Sequence, residues 1–208
     1  MKKKFWDCCA PVYDLAMKKG DAGDRIAAEY IAGYLAPGST LLEAACGTGR
    51  FTCALAPHLA QVCCCDYSQK MVETAKRKAH VLGLDNVSFS IQDVTSLNFP
   101  AASFDSVLAA NVLHLLPEPE KAVDELVRVV RPGGLLIFPN FVNAESDSSG
   151  RRFLKLIGRL GFQPQNEWTS VQFLDFLQDS GLSLVSHRMF ISKQPMCVAI
   201  ARCRDVAF

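Results

Sequence analysis

The sequence has no excess of either charge: 22 Lys and Arg face 21 Asp and Glu, a net charge of +1 over 208 residues. That balance gives no strong global field to draw nucleic acid or an anionic membrane, so a duplex-binding protein is disfavoured and no nucleic-acid partner is expected. A long apolar run is also lacking. The longest, Val107 to Leu116, is interrupted by Asn111 and His114; it falls well short of the ~20 residues that span a bilayer, so integral membrane association is not expected. Met1 to Lys4 resembles the charged start of a secretory leader, but Asp7 follows Phe5 and Trp6 at once and no apolar core develops. The expected location is therefore the cytoplasm. No repeat of fixed period and no low-complexity segment is present, which leaves solenoids and disordered tracts aside.

The spacings that metal sites and disulfide frameworks need are missing too. Nine cysteines are present, but the number is odd, Cys8 and Cys9 are adjacent, and no CxxC is matched by a second CxxC or an HxxxH. Reduced thiols and no metal are the expectation. Cys63, Cys64 and Cys65 extend the apolar stretch that opens at Val62, where a thiol serves as a small hydrophobe. What the chain does have is ordinary globular composition, 50% hydrophobic and 21% charged. A domain of this length buries roughly 70% of its unfolded surface, so residues 1–208 are expected to share one core.

Hydrophobic periodicity orders the elements. Ala27, Tyr30, Ile31, Tyr34 and Leu35 follow the helical template behind Asp24 as N-cap, and Pro37-Gly38 stops that helix. Thr40 to Ala45 reads as a first strand, Cys46-Gly47-Thr48-Gly49 as a glycine turn, and Phe51, Leu55 and Leu59 as a helical face. Val62 to Cys65 reads as a second strand, followed by a helix capped by Ser68 that carries Met71, Val72, Ala75, Ala79 and Leu82 and ends at Gly83. Val87 to Ile91 and Ser106 to Ala110 supply two more strands. Ala122, Val123, Leu126 and Val130 form a helical stripe ended by Arg131-Pro132-Gly133-Gly134, and Leu135 to Phe138 is a fifth strand. After a polar loop, a helix is expected over Arg151 to Leu160, then a capping box from Thr169 and Gln172. Leu184 to Ile191 and Met196 to Ala201 close the chain as a hairpin. This alternation calls for an α/β fold: a doubly wound, Rossmann-like, seven-stranded and mostly parallel sheet with a terminal antiparallel hairpin.

A glycine turn between a first strand and its helix lets backbone approach a ligand and offers free N–H groups to negative charge. Gly47 and Gly49 occupy such a turn, and Asp66 ends the second strand, where a carboxylate can accept from both hydroxyls of a ribose. The pair points to a cofactor containing a nucleoside. A dinucleotide fingerprint would place a third glycine at position 52, which is Thr52, and a nicotinamide cofactor loses ground accordingly.

Leu42-Glu43-Ala44-Ala45-Cys46-Gly47-Thr48-Gly49 resembles motif I of the class I S-adenosylmethionine-dependent methyltransferases, with Ala45 where that family's first glycine usually lies. Asp66-Tyr67-Ser68 with Met71 resembles the family's ribose-binding segment. Gln92-Asp93-Val94 resembles the stretch that contacts adenine in the branch including the ubiquinone and menaquinone C-methyltransferases. Asn111-Val112-Leu113-His114 resembles that branch's active-site edge, Arg131 to Gly134 its helix-to-strand turn, and Val12-Tyr13-Asp14 the segment that folds over the cofactor. The resemblance covers about Val12 to Phe141. It implies S-adenosyl-L-methionine as cofactor, with S-adenosyl-L-homocysteine as product, held by Tyr13, Glu43, Ala45, Cys46, Gly47, Thr48, Gly49, Asp66, Tyr67, Met71, Gln92, Asp93, Val94 and Asn111. Residues 1–24 would then cover the active site and residues 141–168 would form a variable insert on the substrate side.

Methyl transfer from a sulfonium is an in-line displacement in which positioning and desolvation supply most of the rate, so a catalytic triad is not required. His114 is the candidate general base or substrate contact; a helix-start histidine with packing contacts alone is the alternative. Tyr13 either lays its ring near the sulfonium or anchors the N-terminal helix. His58, His80 and His187 read as surface or structural. Arg151 and Arg152, with Trp168, either grip an anionic or aromatic substrate or form a solvated helix end. Lys2 to Lys4 beside Phe5 and Trp6 either touch an anionic membrane or are a disordered terminus. The acceptor implied is a small molecule or lipid-like compound. Two other readings stay open: a non-catalytic S-adenosylmethionine-binding or partner-binding module, and methylation of a thiolate or metalloid by converging cysteines.

Overall fold

The computed structural model describes residues 3–17, 21–159, 162–191 and 194–204. Two helices, α1 (Lys3–Met17) and α2 (Asp21–Ala32), precede β1 (Thr40–Ala44) and the short α3 (Arg50–Leu55). Then follow β2 (Gln61–Asp66), α4 (Gln69–Val81), β3 (Val87–Ile91), β4 (Phe104–Ala109), α5 (Pro119–Val129) and β5 (Val130–Phe141). The chain ends with α6 (Ser148–Gly158), α7 (Ser170–Asp179), β6 (Leu182–Phe190) and β7 (Met196–Cys203).

All seven strands form one sheet in the order β3-β2-β1-β4-β5-β7-β6. The first five run parallel, whereas β7 pairs antiparallel with both β5 and β6. Successive residues of a strand face opposite sides, and the core divides accordingly. Leu42, Val107, Leu136 and Phe138 face α5 and α7 through Leu126, Phe173 and Leu177. Leu41, Leu108, Ile137 and Cys64 face α2 and α3 through Ile31, Phe51 and Leu55. Cys64 and Cys65 are buried members of these layers, as their apolar context predicts. The order reverses direction at β1 and β4, and in such sheets a ligand crevice opens beyond the carboxyl ends of the strands at that point.

The capping chemistry predicted from the sequence is present at three places. Ser68 accepts from Met71 N ahead of α4, Thr169 and Gln172 form the reciprocal box at α7, and Gly83 adopts φ 67 beyond α4. Other boundaries differ. Helix α2 begins at Asp21, so Asp24 lies inside it and is not its N-cap; its carboxylate is drawn to Arg50 at 2.7 Å. Helix α3 is cut short because Pro57 starts a 3-10 turn over Ala56–His58, which carries Leu59 out of the helical face. Arg131-Pro132-Gly133-Gly134 does not stand between helix and strand as a separate turn. Val130 caps α5 and opens β5 at once, and the four residues make a bulged start to the strand, where its register with β4 shifts between Phe104 and Ser106. The expected helix over Arg151 to Leu160 starts earlier, at Ser148, with Asp147 accepting from Gly150 N at its cap; Leu160 lies outside the described residues. Lys3 and Lys4 belong to α1, which overturns a disordered terminus there; Met1 and Lys2 lie outside the described residues.

At the amino ends of the strands, Asp105 ties three of them together. Its Oδ2 accepts from Thr40 N and Thr40 Oγ1, both at 2.8 Å, and Arg131 pairs with its other oxygen. The bonds from Thr40, then the Arg131 guanidinium, hold this carboxyl below the usual range.

Two glycines test this packing in opposite directions. A Cβ on Gly134 would meet Asp105 O and Val130 Cγ2 at 2.7 Å each, whereas one on Gly23, inside α2, would meet nothing within 4 Å. Gly134→Ala should lower unfolding stability by about 1–3 kcal/mol through overpacking. Gly23→Ala should raise it by about 1 kcal/mol through helix propensity. Urea denaturation of both variants beside the parent checks the pair, and equal effects would refute the bulge geometry.

Candidate functional site

The β1 strand delivers Glu43 and Ala44 into a turn whose backbone is left-handed at Ala45 (φ 57), Gly47 (φ 54) and Gly49 (φ 73). Ala45 tolerates a conformation that costs an L-residue about 1–2 kcal/mol, so the turn departs from the glycine-rich pattern in sequence but not in shape. A Cβ at Gly47 would meet no atom within 4 Å, whereas at Gly49 it would press on Ala75 Cβ at 3.0 Å. The two glycines thus do different jobs. Gly47 leaves room for a ligand, and Gly49 lets the turn sit closely on α4.

Parallel pairing sets Ala44 beside Cys65, so the glycine turn and the end of β2 emerge together. Asp66 Oδ2 accepts from Gly47 N at 2.9 Å and Oδ1 accepts from Ser68 N at 2.8 Å. Burial pushes this carboxyl above its usual range while those backbone N–H groups pull it back. Each oxygen of an ionised carboxylate has two lone-pair positions, so accepting from the protein leaves capacity for hydroxyl groups.

Beneath the turn, Glu43 is 1% exposed and accepts from Thr52 Oγ1. Burial raises its carboxyl to about 7, and the Thr52 bonds only partly offset that. Position 52, where a dinucleotide site would need glycine, instead supplies a hydroxyl that also lies 3.1 Å from Cys64 Sγ.

Helix α1 lies across these motifs through two carboxylates. Asp7 accepts from Ser68 Oγ at 2.6 Å; Asp14 accepts from Thr48 Oγ1 at 2.7 Å and Lys78 Nζ at 2.9 Å, with Arg50 at 3.8 Å. Burial works to raise the Asp14 carboxyl, but the bonds from Thr48 and Lys78 outweigh it and hold it below the usual range. Tyr13, on the same helix, is half-buried, and desolvation pushes its phenol up to about 12.

These elements surround a cavity of about 410 Å³ beyond the carboxyl ends of β1 and β4, within the size range of small-ligand sites. Of the residues predicted for the site, Tyr13, Glu43, Ala45, Cys46, Gly47 and Thr48 line it, as do Asp66, Tyr67, Met71, Gln92, Asp93, Val94 and Asn111. Asp93 Oδ1 accepts from Thr95 N and Oγ1, and Gln92 is tied to Ser90 and Asn98. Asn111 is left-handed at φ 52, and its buried Oδ1 has no hydrogen-bond partner among the described residues. An orphaned acceptor of this kind beside a cavity suits a ligand donor.

Gly49 and His114 depart from their predicted places. Gly49 lies behind the lining, against α4. His114 is 1% exposed and absent from the cavity wall; its Nδ1 is 3.1 Å from Asn140 Oδ1, and its carbonyl accepts from Gln165 N and Asn166 N. Asn140 also donates through Nδ2 to Phe141 O, so Oδ1 is the acceptor and Nδ1 carries the proton. Burial lowers this imidazole to about 4, which keeps it neutral. The pattern of a helix-start histidine is thus met by packing and backbone bonds. Arg151 and Arg152 do not line the cavity either, and Trp168 stacks on Phe176 at 4.9 Å between centroids.

The sequence reading missed the ion pair of Asp24 with Arg50, together with Trp6, Leu115 and Leu116, all on the wall. Arg50 did carry a signal. A cation in the first turn of a helix opposes the macrodipole, and such a residue calls for a carboxylate partner. Cys46 is the one cysteine lining the cavity among the described residues, so thiols do not converge there.

A family profile described as "Methyltransferase domain" matches residues 42–138. The chain is 39% identical over 104 residues to a demethylmenaquinone methyltransferase from Clavibacter sepedonicus, covering 50% of this chain and 42% of that one. It is 37% identical over 106 residues to a phosphatidylethanolamine N-methyltransferase from Cereibacter sphaeroides, covering 50% of this chain and 52% of that one. The chain therefore spans about half the length of the curated relatives it matches. Among solved structures, a magnesium protoporphyrin IX methyltransferase from Synechocystis with bound S-adenosylhomocysteine superposes with a TM-score of 0.67 at 24% identity, covering 88% of this chain and 84% of that one. Profile, relatives and sheet agree: the chain is similar to the class I S-adenosylmethionine-dependent methyltransferases.

Proposed function

We propose that this protein transfers a methyl group from S-adenosylmethionine to a small-molecule or lipid-like acceptor by in-line displacement. The observation that carries the reading is one cavity bounded by Glu43, Gly47, Asp66, Asp93 and Asn111, donor and acceptor groups that match the parts of a nucleoside joined to an amino acid. S-adenosylmethionine supplies an electrophilic methyl group on a sulfonium; the chain's own residues supply position and exclusion of water.

Asp66 would accept from the ribose hydroxyls, and Asp93, flanked by Gln92 and Val94, from the adenine amino group. Tyr67 and Met71 give apolar walls to this end. Glu43 and Asn111 would orient the methionine ammonium, with Ala45, Cys46, Gly47 and Thr48 leaving backbone room for it. Gly49 acts indirectly by seating the turn on α4. Tyr13 would present its ring toward the sulfonium, a cation–π arrangement that needs no ionised phenol. Val112, Leu115 and Leu116 make the acceptor side apolar, which excludes water from the attacking atom. His114 fixes that side through its carbonyl and its bond to Asn140, a positioning role rather than proton transfer. Residues 1–24 and 141–168 would frame the acceptor, the first through Trp6 and Tyr13. No helix among the described residues is long and apolar enough to cross a membrane, and unpaired buried thiols such as Cys64 and Cys65 suit a reducing cytoplasmic setting.

Calorimetric titration with S-adenosylhomocysteine should give saturable one-site binding to the wild-type chain. Asp66→Ala should weaken it at least tenfold, since a charge-assisted pair of hydrogen bonds contributes about 1.5–3 kcal/mol. A folded wild-type chain that binds neither S-adenosylhomocysteine nor S-adenosylmethionine would sink the proposal. Binding of both without methyl transfer to any screened naphthol, catechol or phosphatidylethanolamine would favour the non-catalytic module.

Glu43 adds a pH signature. Unfolded, its carboxyl loses its proton near 4.5; folded, it keeps it to about 7. Its contribution to stability is therefore full below pH 4.5, declines as pH rises, and above 7 is lower by about 3 kcal/mol. Glu43→Gln should remove this decline, visible as a flatter stability profile between pH 5 and 8 in urea unfolding. Because a ligand ammonium favours the ionised form, S-adenosylhomocysteine should bind the wild type more tightly at pH 8 than at pH 6, and Glu43→Gln weakly at both. Equal affinities at the two pH values in the wild type would count against Glu43 as the ammonium's partner.

A further inference from the structure

The charge that is balanced over the whole chain is not balanced over its surface. Residues 148–159 carry Arg151, Arg152, Lys155 and Arg159 and no acidic side chain, which leaves the remainder of the chain net negative. All four are exposed, and Arg152, Lys155 and Arg159 have no ion-pair partner among the described residues. Arg151 donates through Nε to Ser146 O. The flanking acid, Asp147, is engaged in capping α6 through Gly150 N. Arg152, Lys155 and Arg159 recur at helical spacing on one stripe, and Leu156 beside them is 58% exposed.

A second element extends this face. Phe162 N donates to Ile157 O just beyond α6, and the Phe162 ring lies 6.5 Å from Phe5 and 6.3 Å from Trp6 on α1. That contact brings the amino end of α1, with exposed Lys4 and half-buried Phe5 and Trp6, up to the segment that follows α6. Trp6 also lines the cavity. A helix with clustered Arg and Lys, an exposed leucine and adjoining aromatic rings has the composition of one that lies in a bilayer interface.

We propose that α6 and the first turns of α1 dock peripherally on an anionic phospholipid bilayer, beside the cavity wall that Trp6 supplies. Charge complementarity selects this occupant: a neutral bilayer would not repay desolvating three unpaired cations, and a purely polyanionic partner would have no use for Leu156. The inference stands on surface chemistry and does not depend on methyl transfer.

The test is cosedimentation of the full chain, loaded with S-adenosylhomocysteine, with vesicles of phosphatidylcholine alone or mixed with phosphatidylglycerol, at low and high salt. Binding is expected to the mixed vesicles only and to fall with salt. Each basic residue near such a surface is worth about fivefold in partitioning. The double variant Arg152→Glu, Lys155→Glu reverses two charges and should bind at least roughly a hundredfold less. Leu156→Ser should weaken vesicle binding while leaving retention on heparin unchanged. Neither change touches the cavity wall, so S-adenosylhomocysteine affinity should match the wild type and report a folded protein. Absence of binding to the mixed vesicles, equal binding to neutral ones, undiminished binding of the charge-reversed variant, or an unaltered response to Leu156→Ser would each overturn the proposal. In the last case a soluble polyanion would take the bilayer's place.

Discussion

The carboxylate of Asp66 is the constraint on which the site depends. It stands where two adjacent parallel strands end side by side, and it accepts from Gly47 N on one side and Ser68 N on the other. One buried group thereby fixes the glycine turn after β1 and the helix cap after β2 in a common frame. Burying a carboxylate opposes its ionisation, and backbone N–H groups restore it. The same residues that make the charge tolerable also make the cavity. Glycine at 47 leaves space there, Ser68 caps α4, and α4 receives Gly49 against Ala75. Helix α1 then uses the same two motifs as its footing, since Asp7 binds Ser68 and Asp14 binds Thr48. Helix α1, the glycine turn and the α4 cap are in this way mechanically joined.

Polar groups around the cavity are arranged so that the protein's own charges are largely answered. Asp24 meets Arg50, Asp14 meets Lys78, and Glu118 meets Lys121 at the rim. The exceptions are more telling than the pairs. Glu43 accepts from a hydroxyl, and among the described residues Asn111 Oδ1 has no partner. In the proposed binding mode both would face the methionine end, where an ammonium would satisfy them. The opposite side, from Val112 to Leu116, offers apolar surface instead of acids or bases. A displacement at a sulfonium makes few demands on proton transfer, and that division suits it.

Much of this was legible in the sequence because strands and helices here keep their periods. Leu41 and Leu42 face opposite layers, as alternation requires, and the hairpin of β6 and β7 was visible as two apolar stretches. Gly47, Asp66 and Asp93 were legible for another reason, since the chemistry of a nucleoside restricts which side chains can stand at a strand end. What was not legible depends on distant partners. Asp24 has the look of a cap in sequence, and only the fold brings Arg50 to it. The Arg131 to Gly134 run has the composition of a turn, but Asp105 holds Arg131 against the sheet and draws the run into β5. His114 shares a segment with cavity residues, and a single 3-10 turn rotates it away from the wall that Leu115 and Leu116 occupy.

Net charge averages over distances that an approaching surface does not sense. At physiological salt, charges interact within roughly 8 Å, so a surface approaching α6 senses the exposed Arg152, Lys155 and Arg159 before it senses the balance of the whole chain. Sequence alone separates Lys4 from Arg159 by most of the chain. Packing of Phe162 on Phe5 and Trp6 brings their two helices together. Trp6 then belongs to three structures at once: the aromatic contact that joins the helices, the face that carries the cations, and the wall of the cavity. A shift in that ring packing would reach both the α6 end and the cavity wall, because the same indole ring belongs to each.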